Sequence, residues 1–189
     1  MKKSCGAKTL PIPAPVPVWV VGTYDSSGRA NAMTAAWVSI CCSKPPCIAV
    51  SLRKATYSHG NIVARKAFTV SVPSAQHVKT ADFLGLASGR DLDKFAKAKL
   101  TAVKSDLVDA PYVQEFPIVI ECKLLHTIEL GLHTQFVGQI QDVKIDEDLL
   151  KSEDSLDLEK LGFFAFQSGY WAATKYLGQA FSIGKELMR

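Results

Sequence analysis

Gly28-Arg29-Ala30-Asn31-Ala32-Met33-Thr34-Ala35-Ala36-Trp37-Val38-Ser39 and, shortly after it, Lys44-Pro45-Pro46-Cys47-Ile48-Ala49-Val50-Ser51-Leu52-Arg53-Lys54-Ala55-Thr56-Tyr57-Ser58-His59-Gly60-Asn61 are the two runs that organise the chain. Each is an apolar stretch that carries, or ends in, small polar side chains. Ser51, Arg53, Thr56 and Ser58 fall together where a strand gives way to a helix. Hydroxyl donors, a guanidinium and the unpaired N–H groups of a helix start suit a phosphate. A plainer account is that Thr56 or Ser58 only caps the helix and Arg53 is a solvated charge. Asn31 and Thr34 offer donors and acceptors to a flat heterocycle. Equally, Asn31 follows a turn and Thr34 is an ordinary strand former.

The flanking chain is rich in β-structure. Val18 to Tyr24 is β-branched and aromatic, Asp25-Ser26-Ser27-Gly28 turns it, and Ala30 to Ile40 returns as one strand. Cys47 to Leu52 is a short apolar strand after the Ser43–Pro46 loop, and Tyr57 to Arg65 is a helix. Ala67 to Val72 is a strand stopped by Pro73. Ser74 to Ala87 is helical, ended by Ser88-Gly89, and Asp91 to Phe95 begins another short helix. Leu107 to Phe116 is irregular. Ile118 to Leu130 and His133 to Ile145 form a long hairpin turned by Gly131-Leu132, Glu147 to Leu161 is an acidic surface loop, and Phe163 to Phe166 is a last strand. Strands that return through hairpins, with helices inserted and no regular β-α-β alternation, predict a mainly β, antiparallel barrel. No GxGxxG follows a strand, so a doubly wound dinucleotide fold is not supported.

Composition narrows the function classes. The chain has 189 residues and a formal charge of +4, with Lys and Arg scattered, so nucleic acid is not an expected partner. The length predicts one domain over residues 1–189. Its start, residues 1–14, is a proline-punctuated extended lead-in, and residues 169–189 are an aromatic-rich tail that packs on the barrel or on a second copy. Five cysteines, an odd number without a CxxC, argue against a metal site and for free thiols in a reducing compartment. Met1-Lys2-Lys3 is not followed by an apolar segment, and no apolar run reaches the ~20 residues that span a bilayer. The expectation is a cytoplasmic protein with no membrane partner.

The two opening runs resemble the flavin reductase-like family, the FMN-binding split barrels, and within it the flavoredoxins. Members pair a G-x-x-N-x-M-T-x-x-W-like run with a P-P-x-I-x-V-S-L-R-like run and a following helix; both stand here, at Gly28 to Trp37 and Pro45 to Arg53. The resemblance covers about Pro15 to the end of the chain. It implies an antiparallel Greek-key split β-barrel, a homodimer, and FMN (rather than FAD) as cofactor, with NAD(P)H or a redox protein as electron donor. It also implies that Asn31, Met33, Thr34, Ala35 and Trp37 meet the isoalloxazine. Ser51, Leu52, Arg53, Thr56, Ser58 and Asn61 would hold the phosphate and ribityl chain. Asp93-Lys94-Phe95 resembles the family's D-K-F run in a loop covering the flavin. His133 corresponds to a histidine beside flavin and nicotinamide, but Leu132 stands where NAD(P)H-using members often carry an acid. That departure bears on nicotinamide reduction more than on flavin binding. The alternative it leaves open is an FMN-binding electron carrier without NAD(P)H turnover.

Overall fold

The structure is a computed structural model that describes residues 4, 6, 15–152, 155–172, 175–180 and 182–188. The expected lead-in over residues 1–14 therefore lies outside the described residues, apart from 4 and 6. Seven strands make the principal sheet: β1 (Trp19–Tyr24), β2 (Ala30–Ala35), β3 (Val38–Ser43), β4 (Pro46–Arg53), β5 (Ala67–Val72), β6 (Ile118–Leu130) and β7 (His133–Ile145). Their order across the sheet is β2-β1-β5-β6-β7-β4-β3, and every neighbouring pair is antiparallel.

The two outer strands of that sheet, β2 and β3, are joined by only Ala36 and Trp37. From Ala35 to Val38 the chain can advance at most roughly 10–11 Å, at about 3.3–3.6 Å for each step. The open sheet must therefore curl until its edges nearly meet. This is a split barrel, with the split between β2 and β3. The expected single strand from Ala30 to Ile40 is thus two strands on opposite edges. Ser51 N–H donates to the Trp37 carbonyl at 2.9 Å and fixes the bend against β4.

Alternation fills the barrel. Ile48, Val50 and Leu52 of β4, Phe68 and Val70 of β5, Ile120 and Cys122 of β6 and Phe136 of β7 point to one core with Val21 and Ile62, as the two-residue period of a strand requires. A Cβ at Gly138 would overlap the Phe68 ring and Cys122, so β7 carries a glycine where the facing ring needs the room. Strand β1 is buried on both faces. Val21 enters the barrel, while Val20 packs outside it with Ala32, Leu84, Phe95 and Phe116. That explains the continuous apolar run from Val18 to Val21.

Three helices cover this outer face and the barrel end: α1 (Tyr57–Arg65), α2 (Val78–Leu86) and α3 (Lys94–Ala98). α1 buries Ser58, Asn61 and Ile62, one stripe at helical spacing. Its cap position is Thr56, but the Thr56 hydroxyl donates to the Arg53 carbonyl at 2.9 Å instead of accepting from the helix. Asp93 does cap α3, accepting from Ala96 N–H at 3.0 Å. The acidic segment after β7 is more ordered than the expected loop. It holds a 3-10 turn over Glu147–Leu149 and a four-residue helix, Leu158–Leu161, capped by Asp157. Leu149 and Leu161 are buried against Ile118, which supplies the reason. Among the described residues no helix is long and apolar enough to cross a membrane.

Candidate functional site

The two opening runs meet at the outer end of the barrel. Asn31, the second residue of β2, turns inward and is buried. Its Nδ2 donates to the Ser58 hydroxyl on the first turn of α1 at 2.9 Å. One turn further along, Asn61 Nδ2 donates to Thr23 Oγ1 at 3.1 Å. These contacts seat the N-terminal end of α1 on the β1–β2 hairpin. The hairpin turn is held by Asp25, whose carboxylate accepts from Ser27 N–H and hydroxyl, Arg29 N–H and the Tyr57 hydroxyl at 2.7–2.9 Å. Burial pushes Asp25 up, but the hydrogen bonds from Ser27, Tyr57 and Arg29 outweigh it and hold the carboxyl well below the usual range.

Between β2 and the start of α1 opens a cavity of about 260 Å³. Its walls are Asn31 and Met33, the segment Ala55 to Ser58, the end of α2 with the following loop from Gly85 to Arg90, and Lys94. The loop is strapped down twice: Arg29 Nη2 donates to the Gly89 carbonyl at 2.6 Å, and Arg90 Nη1 donates to the Ala55 carbonyl at 2.8 Å. The Arg90 guanidinium also lies 5.5 Å from the Tyr57 ring centroid. Gly89 sits so close to Asn31 and Tyr57 that a Cβ would overlap both. The Lys94 ammonium is buried and donates to the Leu84 and Ala87 carbonyls at 2.8 and 3.0 Å, the free acceptors at the end of α2. Burial brings it down to about 8.

Of the residues singled out in the sequence, Asn31, Met33, Thr56, Ser58 and Lys94 line this cavity. The others do not. Ala35 and Leu52 belong to the barrel core, Phe95 to the outer core, and Asn61 to the hydrogen bond with Thr23. The Thr34 hydroxyl donates to the Ala81 carbonyl at 2.5 Å and pins α2 to β2. Ser51, Arg53, Trp37 and His133 lie along the β3–β4–β7 side of the sheet, with Arg53 directly opposite His133. The sequence reading passed over Tyr57 and the loop from Gly85 to Arg90. Their one signal was a glycine followed by a basic residue, Gly89-Arg90, where a helix ends.

The donor set suits a flavin-type ligand on an observation independent of any motif. Asn31 Oδ1 is buried and has no hydrogen-bond partner among the described residues, so the cavity wall holds an acceptor that awaits a donor. Around it stand the α1 N-terminus, the Ser58 hydroxyl, Arg90 and Lys94, which together favour an anion. A second cavity, about 440 Å³, is lined by Glu115, Asp146 and Asp148 and would repel one. At about 260 Å³ the first cavity falls just short of the roughly 300–1,000 Å³ that enclose a whole ligand of drug size, so it takes one end of such a molecule.

Comparison with known proteins identifies the fold and the family. The structure is similar to flavoredoxin of Desulfovibrio vulgaris (Miyazaki F), with a TM-score of 0.91 and 51% identity over 97% of this chain and 100% of that one. It is also similar to flavoredoxin from Methanosarcina acetivorans, with a TM-score of 0.88 and 29% identity over 100% and 98% of the two chains. A ferric-chelate reductase (NAD(P)H) of Archaeoglobus fulgidus is 32% identical over 127 residues, 67% of this chain and 74% of the relative. The chain spans only about half to two thirds of the length of several other curated relatives. The model of the flavin reductase-like domain matches residues 13–167, and the chain belongs to that family.

Proposed function

We propose that the chain is an FMN-dependent, flavoredoxin-like oxidoreductase that binds the flavin at the Asn31–Ser58 cavity and passes electrons or hydride through it. The observation that carries this is the unpartnered, buried Asn31 Oδ1 in a wall otherwise made of anion-favouring groups. Asn31 and Met33 would meet the ring. The start of α1, with Thr56 and Ser58, would hold the phosphate end, and Arg90 would neutralise it. Lys94 would supply a second cation at the other wall. A bound flavin brings the one- and two-electron chemistry itself. The protein's part is to bind it, orient it and set its charge environment.

The remaining sequence candidates enter as part of the same proposal. Trp37, Ser51, Arg53 and His133 would reach a flavin from the exposed sheet side, completed by a second copy of the chain. Exposed apolar side chains on that side support a homodimer: Ile40 on β3, Leu125, Ile128 and Leu130 on β6, and Leu132 in the turn before β7. The donor would be NAD(P)H. Leu132 before His133 favours a second reading, an electron carrier reduced by a partner redox protein.

Absorption spectra of the purified protein, repeated after anaerobic NADH and then NADPH, test both. Flavin bands that bleach with either nucleotide support the reductase. Bands that persist until dithionite is added support the carrier. A protein that shows no flavin bands, and gains none with added FMN, overturns the proposal.

A further inference from the structure

Three of the cysteines come together at the end of the β3–β4 hairpin. The pairing runs Ser39 to Ala49 and Ile40 to Ile48, then shifts, so that Cys42 stands directly opposite Cys47. The shift leaves Cys41 as the extra residue of a β-bulge, which sets two residues of one strand against one of the other. Cys41 and Cys42 are exposed and Cys47 is buried, and all three are free thiols. Residues directly opposite in an antiparallel pair have Cα atoms about 4.5–5.5 Å apart, inside the roughly 4.4–6.8 Å that a disulfide spans. Among the described residues no three Cys, His, Asp or Glu side chains are placed to hold a metal ion, so the cluster is read as thiol chemistry.

We propose that Cys42 and Cys47 form a reversible cross-strand disulfide by exchange with low-molecular-weight disulfides, with Cys42 as the attacking thiol. Cys42 is the exposed member of the pair and meets the reagent first. Burial, followed by the neighbouring Cys42 and Cys41 groups, pushes the Cys47 thiol up and leaves it the slower nucleophile. In the first step the Cys42 thiolate attacks one sulfur of RS–SR, the S–S bond breaks, and RS⁻ leaves. In the second the Cys47 thiolate attacks Cys42 Sγ, the protein disulfide forms, and the second RS⁻ leaves. The two protons lost by the cysteines appear on two RSH. The protein is oxidised by two electrons and the reagent reduced by two. Cys41 is adjacent in sequence but bulged out of register, and Cys122 is fully buried inside the barrel. Neither enters the bridge.

The test uses the full chain in a Cys5→Ser background, which leaves four thiols. The protein is incubated with oxidised glutathione and analysed by thiol titration and peptide mass mapping. The expected result is loss of two thiols and of two hydrogens from the peptide that holds Cys41, Cys42 and Cys47, with no backbone fragment ions between residues 42 and 47. Dithiothreitol restores both thiols. Cys41→Ala still forms the bridge, and Cys47→Ala stops at a stable glutathione adduct on Cys42. A bridge from Cys41 to either neighbour, a bridge between two chains, or a lasting adduct on Cys42 in the presence of Cys47 would overturn the proposal.

Discussion

Asn31 Nδ2 lies 2.9 Å from the Ser58 hydroxyl, so one hydrogen bond joins the start of β2 to the first turn of α1 at the cavity wall. The oxygen of the same amide is buried against Gly89 with no hydrogen-bond partner among the described residues. Replacing Asn31 by Leu removes the acceptor and strands Ser58. Loss of one buried hydrogen bond costs about 1–3 kcal/mol, so FMN affinity should fall roughly fivefold to a hundredfold. Fluorescence titration with FMN measures this. Affinity unchanged in the Leu variant would remove Asn31 from the site.

Arg90 is the guanidinium in the cavity wall, whereas Arg53, at the end of β4, does not line the cavity. Arg90→Ala should weaken FMN binding by about 1.5–3 kcal/mol, the value of a hydrogen bond to a charged group. Arg53→Ala should weaken it less. Riboflavin, which lacks the phosphate, should bind both variants like the parent. A loss confined to Arg53→Ala would place the phosphate at the exposed sheet side.

The Lys94 ammonium, brought down to about 8 by burial, gives the site a pH dependence. Below that value the group is charged and favours an anionic flavin. As pH rises through about 8 the charge is lost and FMN affinity should fall. The folded protein alone shows the opposite trend. Lys94 titrates near 8 in the fold and at about 10.4 when unfolded, so over that window the unfolded chain binds more protons and stability rises with pH from this group. Lys94→Met should flatten both profiles. Isothermal titration and thermal melts from pH 6.5 to about 10 compare them.

Glu121, fully buried on β6, faces Lys144 of β7 at 3.2 Å and accepts from Leu107 N–H at 3.1 Å. Lys144 also pairs with Asp106 and Asp142 at 3.1 and 2.9 Å, and these contacts hold its ammonium above the usual range. Lys144→Met leaves the Glu121 carboxylate buried without a counter-charge. Breaking a buried pair in this way costs about 3–5 kcal/mol. Adding Glu121→Gln should recover much of the loss. Urea unfolding at pH 7 reads the difference, and equal midpoints for parent and Lys144→Met would show the pair to be dispensable.

A methyl at Gly89 would overlap Asn31 Oδ1 and the Tyr57 ring, so Gly89→Ala should push the 85–90 loop off the cavity. FMN should then bind at least tenfold more weakly, with a melting temperature close to the parent's because the loop lies outside the main core. A melting loss without a change in affinity would assign Gly89 to stability alone.

Much of the architecture was legible because strand and helix periods are local. The alternation of Ile48, Val50 and Leu52, the helix from Tyr57 to Arg65, and the long hairpin turned at Gly131-Leu132 each follow from residues a few positions apart. The break at Ala36-Trp37 was not legible. Both flanking segments favour strands, and only the position of their partners, β1 for one and β4 for the other, sends them to opposite edges of the sheet. The short elements between Glu147 and Leu161 were hidden for a related reason. Their acidic surface reads as a loop, and the burial of Leu149 and Leu161 against Ile118 depends on a strand about thirty residues earlier.

The sequence by itself determined most of the strands and helices, the antiparallel class and the motif from Gly28 to Arg53, and the resemblance that this motif carries grouped Asn31, Met33, Thr56, Ser58 and Lys94. The elements and the motif depend on side-chain type and spacing within a single run. Only the tertiary structure decided that the 85–90 loop closes over Asn31, that Arg90 stands in the wall, and that Cys42 meets Cys47 in register. Each of these joins segments whose separation is set by how far the seven-stranded sheet curls and where one bulge shifts its pairing. Curl and register are properties of packed strands, which no local pattern encodes.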